Sequence, residues 1–472
     1  MLAMSPSPLG LDAYQLTTLI AHADAGRLQH RVSMAVFFRK MPSSRNYVIA
    51  CGLERALDYA SRLVFDDHSL AALERHPLLG PALGSRPQIL QSLRDLKGFE
   101  GELDAVREGT LVFAGPASRT DGSPFLIDGT RLHIYLPLVQ VRTDMVRAKL
   151  LETPWLGFVN HMSMVASKAA RVVSAASGKP VLEFGSRRTH PWAALDAAYA
   201  AYIAGTSATS NLAAFEHLGI PATGTMDHFA VQASERSGVP REQTEREFFA
   251  SFARAFPSAA TLLVDTYDTD AGIAAAVEAT GGALTGIRID SNVTVATVQR
   301  ARALLTRLGA PAAKIVVSDA LDEWRVRELA PYADGFGVGE NITCSPDASA
   351  GIGAVAKLTV NGYGAITMKL AKGSGKATLP GELRTYRFAD HDLVATASEP
   401  SPAGGTPLLV PVWRGNTRVK APQPVEETRD YVRGQIASLA PELQALEVSS
   451  TPRALVASDA LVALIRSRVD LS

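Results

Sequence analysis

The sequence predicts an α/β fold whose middle part is an irregular or incomplete (β/α) barrel. Two observations lead to this prediction. Short apolar runs recur between residues 181 and 338, each ending in polar or glycine residues, and helical patterns separate them. Successive runs start about 20–40 residues apart, which is the length of one strand–helix unit. Repeated strand–helix alternation favours a parallel sheet, and about six clear units indicate a barrel.

The N-terminal part predicts mixed α and β structure. A helix is expected over 11–25, where Asp12 is a suitable N-cap residue, and a strand over 32–38. A helix follows Gly52, a short helix pair is expected over 87–98, and strand-like runs occupy 110–114 and 124–139. None of these elements dictates a chemistry.

A long helix over 156–177 opens the middle part. The predicted strands are 181–184, 222–225, 262–265, 286–290, 314–318 and 335–338. The predicted helices between them are 193–204, 244–256, 272–279, 295–308 and 322–329. Beyond residue 355 the alternation ends, with a strand at 357–360 and helices near 425–439 and 457–468.

Composition excludes several classes of protein. Lys+Arg and Asp+Glu both number 47, so the chain lacks the basic excess of a general nucleic-acid or membrane-surface binder. No apolar stretch is long enough to span a bilayer, and no signal peptide is evident. Only two cysteines are present, which excludes a disulfide framework and predicts the cytoplasm. Neither cysteine lies in a zinc-binding pattern.

The stretch 181–190 attracts attention because an apolar strand ends at Phe184 and two arginines follow, Arg187 and Arg188. A ligand ring can stack on a phenylalanine while a guanidinium pairs with a carboxylate in bidentate geometry. A small aromatic carboxylate would suit this pair. The alternative is a strand with a solvated arginine pair at its end, and these ten residues alone favour that alternative.

The ends of the other predicted strands together fit a phosphorylated sugar. Arg288 suits a phosphate, and Asp290 and Asp319 suit ribose hydroxyls. The backbone at Gly337 and Gly339 can approach a phosphate closely. The strand ends also carry three further candidate positions: Thr225, Asp265 and Ser318.

Several candidates have equally ordinary explanations. His228 follows a strand end and is a candidate nucleophile or general acid–base, but spacing alone favours an ordinary loop histidine; His190 is a rival on the same grounds. Asp265 is a candidate Mg²⁺ ligand or a helix cap. The stretch Lys369–Lys376 is a candidate phosphate clamp or a solvated loop.

Ten segments in order make the chain resemble the nicotinate phosphoribosyltransferase family. The segments are 11–17, 37–42 together with Tyr47 and 52–54, 183–188, 209–211, 224–228, 264–269, 288–291, 314–319, 336–339 and 369–387. The resemblance implies an irregular α/β barrel over 141–355 and an α+β domain built from both chain ends, 1–140 with 356–472. It also implies a homodimer with shared active sites. The implied reaction joins nicotinate to 5-phosphoribosyl 1-diphosphate with coupled ATP hydrolysis and Mg²⁺, for NAD salvage.

The resemblance also assigns roles to residues of this sequence. His228 would be the phosphorylated histidine, and Asp290 would be catalytic. Phe184 and the partner-supplied Tyr14 would enclose the pyridine ring, and Arg187 would bind its carboxylate. The other substrate-binding positions would be Ser210, Thr225, Arg288, Ser318, Asp319, Gly337 and Gly339. The diphosphate or ATP contacts would be Arg39, Lys40, Lys372 and Lys376, and Asp265 would be the metal ligand.

The sequence departs from the family pattern on the sugar-phosphate side. Asn292 and Val293 replace Gly-Asp, Glu340 replaces a threonine, and Asp227 stands where a small residue is common. Two alternatives therefore stay open: a diverged transferase acting on another aromatic acid, and a pyridine-binding homologue with impaired catalysis. A nicotinamide-using enzyme is disfavoured, because the nicotinate-like segment 209–211 lacks the carboxylate which that relative places near the amide.

Overall fold

The computed structural model of the 472-residue chain describes residues 7–39, 41–127, 129–345, 353–370 and 377–470. The fold is mixed α/β. The helices are α1 (Ala13–Asp24), α2 (Leu53–Ser61), α3 (Asp67–Arg75), α4 (Leu79–Gly84), α5 (Pro87–Arg94), α6 (Met145–Ala175), α7 (Pro191–Ile203), α8 (Leu212–Leu218), α9 (His228–Gln232), α10 (Arg241–Ala255), α11 (Thr269–Ala279), α12 (Val295–Arg307), α13 (Glu323–Leu329), α14 (Glu340–Thr343), α15 (Val425–Ala437), α16 (Pro441–Gln444) and α17 (Asp459–Asp470).

The strands are β1 (Arg31–Phe38), β2 (Val48–Ile49), β3 (Gly101–Ala105), β4 (Leu111–Val112), β5 (Ala114–Ser118), β6 (Leu126–Ile127), β7 (Thr130–Arg131), β8 (His133–Tyr135), β9 (Pro137–Asp144), β10 (Val181–Glu183), β11 (Ala208–Thr209), β12 (Thr261–Leu263), β13 (Gly286–Ile289), β14 (Lys314–Ser318), β15 (Gly335–Val338), β16 (Ala354–Val360), β17 (Leu383–Arg387), β18 (His391–Thr396), β19 (Thr406–Pro407), β20 (Val410–Gly415), β21 (Thr417–Arg418) and β22 (Ala454–Ala457).

The chain forms two compact units. The first comprises Met1–Met164 with Asp347–Ser472, and the second comprises Val165–Pro346. The predicted division into 1–140 with 356–472 and 141–355 stays a prediction of domain organisation.

The second unit is built around a six-stranded parallel sheet in the order β11-β10-β15-β14-β13-β12. One face of its central strands is apolar; Ile287, Ile315 and Phe336 lie on that face and are each fully buried. Such burial is typical of a sheet face that helices cover. Across the described residues, no ladder joins β12 to β11, so the sheet is open.

Five of the six strands predicted for this unit are present, and the one at 222–225 is wrong. Ala222 makes only an isolated bridge to Thr209, and the place beside β10 belongs to β11. Pro221 lacks an N–H group and Gly224 is a poor strand former, so too few residues remain between them to extend a ladder. The short helices α8 and α9 were not predicted.

The first unit contains two six-stranded sheets. One is antiparallel throughout, in the order β16-β1-β9-β3-β20-β21. The other is mixed, in the order β19-β17-β18-β22-β5-β8. No helix in the described ranges is sufficiently long and apolar to cross a membrane.

Two helix predictions, for α1 and α6, need correction. Asp12 occupies the N-cap position of α1, but its side chain does not cap the helix. Its carboxylate instead accepts a hydrogen bond from Thr153 Oγ1 at 2.9 Å, so a tertiary partner displaces the local cap. The long helix begins at Met145 rather than at 156, because it continues through Pro154.

A buried ion triad holds α6 and α13 together within the second unit. Glu323 accepts from Arg171 Nε at 2.8 Å, and Lys168 Nζ lies 2.6 Å from its other carboxylate oxygen. The three side chains are at most 8% exposed. Burial pushes the pKa of Glu323 upward, but Lys168 and Arg171 outweigh burial and hold it below its usual value.

Candidate functional site

A cavity of about 430 Å³ lies in the second unit, where the parallel strands end. This volume suits a small-molecule ligand. Ten of the predicted substrate-binding or catalytic residues line it: Phe184, Arg187, Ser210, Thr225, Arg288, Asp290, Ser318, Asp319, Gly337 and Gly339. They come together because the carboxyl ends of parallel strands meet at one edge of the sheet.

Phe184 forms one wall of the cavity. Its backbone N–H donates to Val338 O at 2.9 Å, which continues the pairing of β10 with β15. Gly337 is required beside it, because a Cβ atom there would lie 2.5 Å from the Phe184 ring. The ring therefore rests against bare backbone and offers an aromatic surface to the cavity.

Glu183, which sequence reasoning missed, fixes the turn that carries Phe184 and Arg187. Its side chain is fully buried, and its carboxylate accepts from Thr209 Oγ1 at 2.6 Å and from the Gly185 N–H. Burial raises the pKa of this carboxyl group. Its carbonyl also accepts from Ser210 N–H at 2.9 Å, so the 184–188 turn and the 209–211 segment are held together. The sequence signal that could have identified Glu183 was the presence of a carboxylate inside an otherwise apolar strand.

The three arginines that line the cavity differ in the partners of their guanidinium groups. Within the described residues, the Arg187 guanidinium makes no hydrogen bond or ion pair, and the residue is exposed. Arg288 donates to Thr225 Oγ1 at 2.6 Å and lies 3.8 Å from Asp290. Burial lowers the pKa of Arg288, and Asp290 opposes this effect. Arg188 lies 3.9 Å from Glu340.

Asp290 is the central polar residue of the cavity. Its Oδ1 accepts from Ser318 Oγ at 2.5 Å, and its Oδ2 lies 3.9 Å from His228 Nε2. Its backbone N–H donates to Asp265 Oδ2 at 3.0 Å. One carboxylate therefore faces a hydroxyl, a guanidinium and an imidazole.

His228 begins helix α9, and its ring is oriented from two sides. Nδ1 lies 3.1 Å from Thr266 Oγ1, while Nε2 faces Asp290. His190, the rival candidate, has a different role: it occupies the N-cap position of α7, where its Nδ1 accepts from Trp192 N–H at 3.4 Å. His228 therefore lies beside the Asp290 carboxylate whereas His190 caps a helix, and the reactive role of His228 stays a prediction.

The profile described as the nicotinate phosphoribosyltransferase (NAPRTase) N-terminal domain matches residues 9–119, and that of the NAPRTase family matches residues 180–383. A nicotinate phosphoribosyltransferase of Mycobacterium tuberculosis is 35% identical over 426 residues, covering 90% of this chain and 88% of the relative. The chain belongs to the nicotinate phosphoribosyltransferase family. The Bacillus subtilis nicotinate phosphoribosyltransferase is 32% identical, covering 80% of this chain and 73% of the relative. The structure of human nicotinic acid phosphoribosyltransferase superimposes with a TM-score of 0.80 at 25% identity, covering 97% of this chain and 99% of the human one.

The departures from the nicotinate phosphoribosyltransferase pattern have structural explanations. Asn292 adopts a φ of 50°, a left-handed conformation that glycine favours and that asparagine tolerates best among the other residues. Val293 is buried, and its N–H donates to Asp319 Oδ2 at 3.3 Å. Asp227 caps α9 by accepting from Ala230 N–H at 3.0 Å. The backbone that carries the site is therefore kept despite these changes.

Tyr14 and Arg39, two of the family-derived residues outside the cavity, lie in the first unit. Tyr14 is 48% exposed, and its hydroxyl donates to Glu152 Oε1 at 3.3 Å. Arg39 directly follows β1. Lys40, Lys372 and Lys376 lie outside the described residues. Their roles toward diphosphate or ATP stay predictions.

Asp265 retains an unused buried acceptor. Its Oδ2 accepts from Asp290 N–H, while Oδ1 has no hydrogen-bond partner in the described structure. Across those same residues, no group of three or more His, Cys, Asp or Glu side chains is arranged to hold a metal ion. Mg²⁺ needs no such cage, because it is usually held by one or two carboxylates, waters and substrate phosphates.

Proposed function

We propose that this protein is a nicotinate phosphoribosyltransferase of NAD salvage. It would join nicotinate to 5-phosphoribosyl 1-diphosphate, forming nicotinate mononucleotide and diphosphate with coupled ATP hydrolysis. The observation that carries the proposal is that one cavity brings together the groups that both substrates need. An aromatic surface and an unpaired guanidinium line it, at Phe184 and Arg187. Hydroxyl and carboxylate groups line the same cavity, at Asp290, Ser318 and Asp319.

The geometry supports a simple transfer step. Nicotinate would stack on Phe184 and pair its carboxylate with Arg187, leaving the ring nitrogen free to attack C1 of the ribose. The new N–C1 bond would form as the C1–O bond breaks. The electron pair of the broken C1–O bond would leave with diphosphate. The transition state carries positive charge on the sugar, which the Asp290 carboxylate would stabilise.

His228 is the residue proposed to couple ATP. Its ring is held by Thr266 at Nδ1 and faces Asp290 at Nε2, so its orientation is already set. An imidazole is a competent nucleophile toward a phosphoryl group. The nucleophile would take the γ-phosphoryl group while ADP leaves, and later hydrolysis would restore the histidine.

The residues around Asp265 fit the Mg²⁺ that the family implies. The unpartnered Oδ1 of Asp265 would hold it, directly or through water. When bound, the ion would neutralise charge on the leaving diphosphate. The chain's own contribution is to keep Asp265 oriented through the Asp290 N–H bond.

The finer architecture is part of the same proposal. We infer an irregular (β/α) barrel around the parallel sheet, an α+β domain from both chain ends, and a cytoplasmic homodimer. Tyr14, Arg39, Lys40, Lys372 and Lys376 would then serve the active site of the partner subunit. No nucleic-acid or membrane partner is expected.

The direct test is a mass assay for nicotinate mononucleotide, using purified protein with Mg²⁺, the phosphoribosyl donor and nicotinate. Product is expected to increase with ATP, and the Ala variant of His228 is expected to lose the ATP stimulation because the phosphoryl acceptor is gone. The His190→Ala variant is the matched control, since that ring only caps α7. No product despite nicotinate binding by calorimetry would reject the proposal in favour of another acceptor or an impaired homologue.

Arg187 provides a second test, on the acceptor side. Arg187→Ala is expected to raise the KM for nicotinate about 10- to 150-fold, because a charge-assisted bond to the ring carboxylate is lost. The kcat should change less, since this contact is present in both ground and transition states. Arg187→Lys should recover part of the affinity, as charge returns without the bidentate fork. An unchanged KM in Arg187→Ala would place the carboxylate elsewhere.

A further inference from the structure

We propose that Glu340 competes with ligand anions for Arg188 and thereby limits how much negative charge the cavity accepts. The inference rests on the proposed function and deepens it, because it identifies a residue that sets substrate specificity at the same site. In its free state the cavity would offer one available guanidinium, that of Arg187, and a second oxyanion would bind only by displacing Glu340.

The three arginines of the cavity differ in what already faces each guanidinium group. Arg288 is satisfied by Thr225 at 2.6 Å and lies near Asp290. Arg187 has no partner among the described residues. Arg188 already faces a carboxylate of the protein itself, because its Nε lies 3.9 Å from Glu340 Oε2. Two adjacent arginines at the same turn therefore differ in what they offer a ligand.

The backbones on both sides of the Arg188–Glu340 pair are anchored by contacts with neighbouring segments. The Arg188 carbonyl accepts from Cys344 Sγ at 3.1 Å. The segment after Glu340 is anchored by Asn341 Nδ2, which donates to Ala320 O at 2.9 Å. Gly339 lies so close to the Phe184 carbonyl that a Cβ there would be 2.9 Å from it. The backbone of Glu340 is therefore kept at the cavity, where its exposed carboxylate can rotate away from Arg188.

The Arg188–Glu340 ion pair is weak because it is open to solvent. The side chains of Arg188 and Glu340 are 50% and 61% exposed, and ion pairs this open are weak and screened by salt. Glu340 therefore lowers the affinity for a competing anion without blocking it. An aromatic monocarboxylate needs only Arg187 and is unaffected. A ligand with a second oxyanion pays for displacing Glu340 and is disfavoured.

That second oxyanion has two possible sources. It is a phosphate group of the phosphoribosyl donor or a second carboxylate on the aromatic acceptor. Both would be recognised by the same guanidinium. Three probes separate them: inorganic phosphate, pyridine-3-carboxylate, and pyridine-2,3-dicarboxylate.

The test measures the binding of each probe to the full-length protein by calorimetry, in wild type and in Glu340→Gln and Glu340→Thr. Phosphate is titrated in the presence of saturating pyridine-3-carboxylate, so that Arg187 is already occupied and phosphate is the second oxyanion. Both variants are expected to bind phosphate, the dicarboxylate, or both about three- to tenfold more tightly, with unchanged affinity for the monocarboxylate. The gain should vanish in a variant that also carries Arg188→Ala. It should shrink at about 1 M salt, where the screening length is about 3 Å. A gain for phosphate alone would identify the donor, and a gain for the dicarboxylate alone would identify the acceptor.

The matched control is Glu278→Gln, which removes an exposed carboxylate that pairs with Arg246 at 2.9 Å and does not line the cavity. Unchanged affinities in both Glu340 variants would overturn the proposal, as would an equal gain in Glu278→Gln. Because the readout is binding, its failure is distinct from failure of the proposed function. A protein that binds the monocarboxylate but forms no product would contradict the function and leave the charge competition standing.

Discussion

Asp290→Asn is expected to lower kcat about 10²- to 10³-fold with little change in fold. The substitution keeps the side chain's size but removes the charge that faces Ser318, Arg288 and His228 at 2.5, 3.8 and 3.9 Å. An amide cannot stabilise the positive sugar of the transition state as a carboxylate does, and Arg288 loses its nearest counter-charge. Steady-state kinetics with the phosphoribosyl donor would measure the loss.

The matched control is the same substitution at Asp268, a carboxylate that caps α11 by accepting from Ala271 N–H at 2.8 Å. Asparagine is also a good N-cap residue, so Asp268→Asn should retain activity and stability. Wild-type kcat in Asp290→Asn would contradict the assignment. If the thermal midpoint fell in Asp290→Asn but not in Asp268→Asn, the loss of activity in Asp290→Asn would come from impaired folding rather than from the missing charge.

The convergence of the site was predictable because it depends on topology. Alternating strands and helices imply a parallel sheet, and a parallel sheet brings all its carboxyl ends to one edge. Phe184, Asp290 and Gly337 are far apart in sequence but follow from this one rule. The apolar pattern of β13, β14 and β15 located their ends to within a residue or two.

What could not be predicted depends on tertiary contacts. Thr266 orients His228, and Glu183 holds Thr209, but neither partnership leaves a periodic signal. Strand β11 has only two residues and exists because β10 offers it an edge. The start of α6 was missed because the helix continues through Pro154, a residue that normally ends one. Local propensity loses to packing in each case.

The family pattern also needed structure for its interpretation. From sequence, Asn292 in place of glycine suggests damage to the backbone, whereas its left-handed φ is one that asparagine accepts. Glu340 in place of a hydroxyl suggests simple repulsion of phosphate. In the structure, however, Arg188 Nε lies 3.9 Å from Glu340 Oε2 and offsets part of its negative charge. The same residues thus have different consequences once their neighbours are known.

Glu323→Gln is expected to destabilise the second unit by about 3–5 kcal/mol. The neutral side chain would remove the buried carboxylate that faces Lys168 and Arg171, and desolvation makes the loss of a counter-charge costly for cations in the interior. Thermal and urea unfolding would detect the change, with the midpoint lowered by roughly 10 °C for a unit of this size. Glu278→Gln, at an exposed pair, is the control and should shift stability by less than about 1 kcal/mol.

The pH dependence separates this charge effect from lost packing. The pKa of Glu323 lies below its ordinary value of 4.5, so the native state holds the carboxylate ionised more readily than the unfolded chain does. Its contribution is therefore complete above pH 4.5 and is lost as pH falls through the lowered native pKa. The stability gap between wild type and Glu323→Gln should be widest near neutral pH and narrow in acid. A gap that stays constant down to acid pH would mean that the shape of the side chain, rather than its charge, holds α6 to α13.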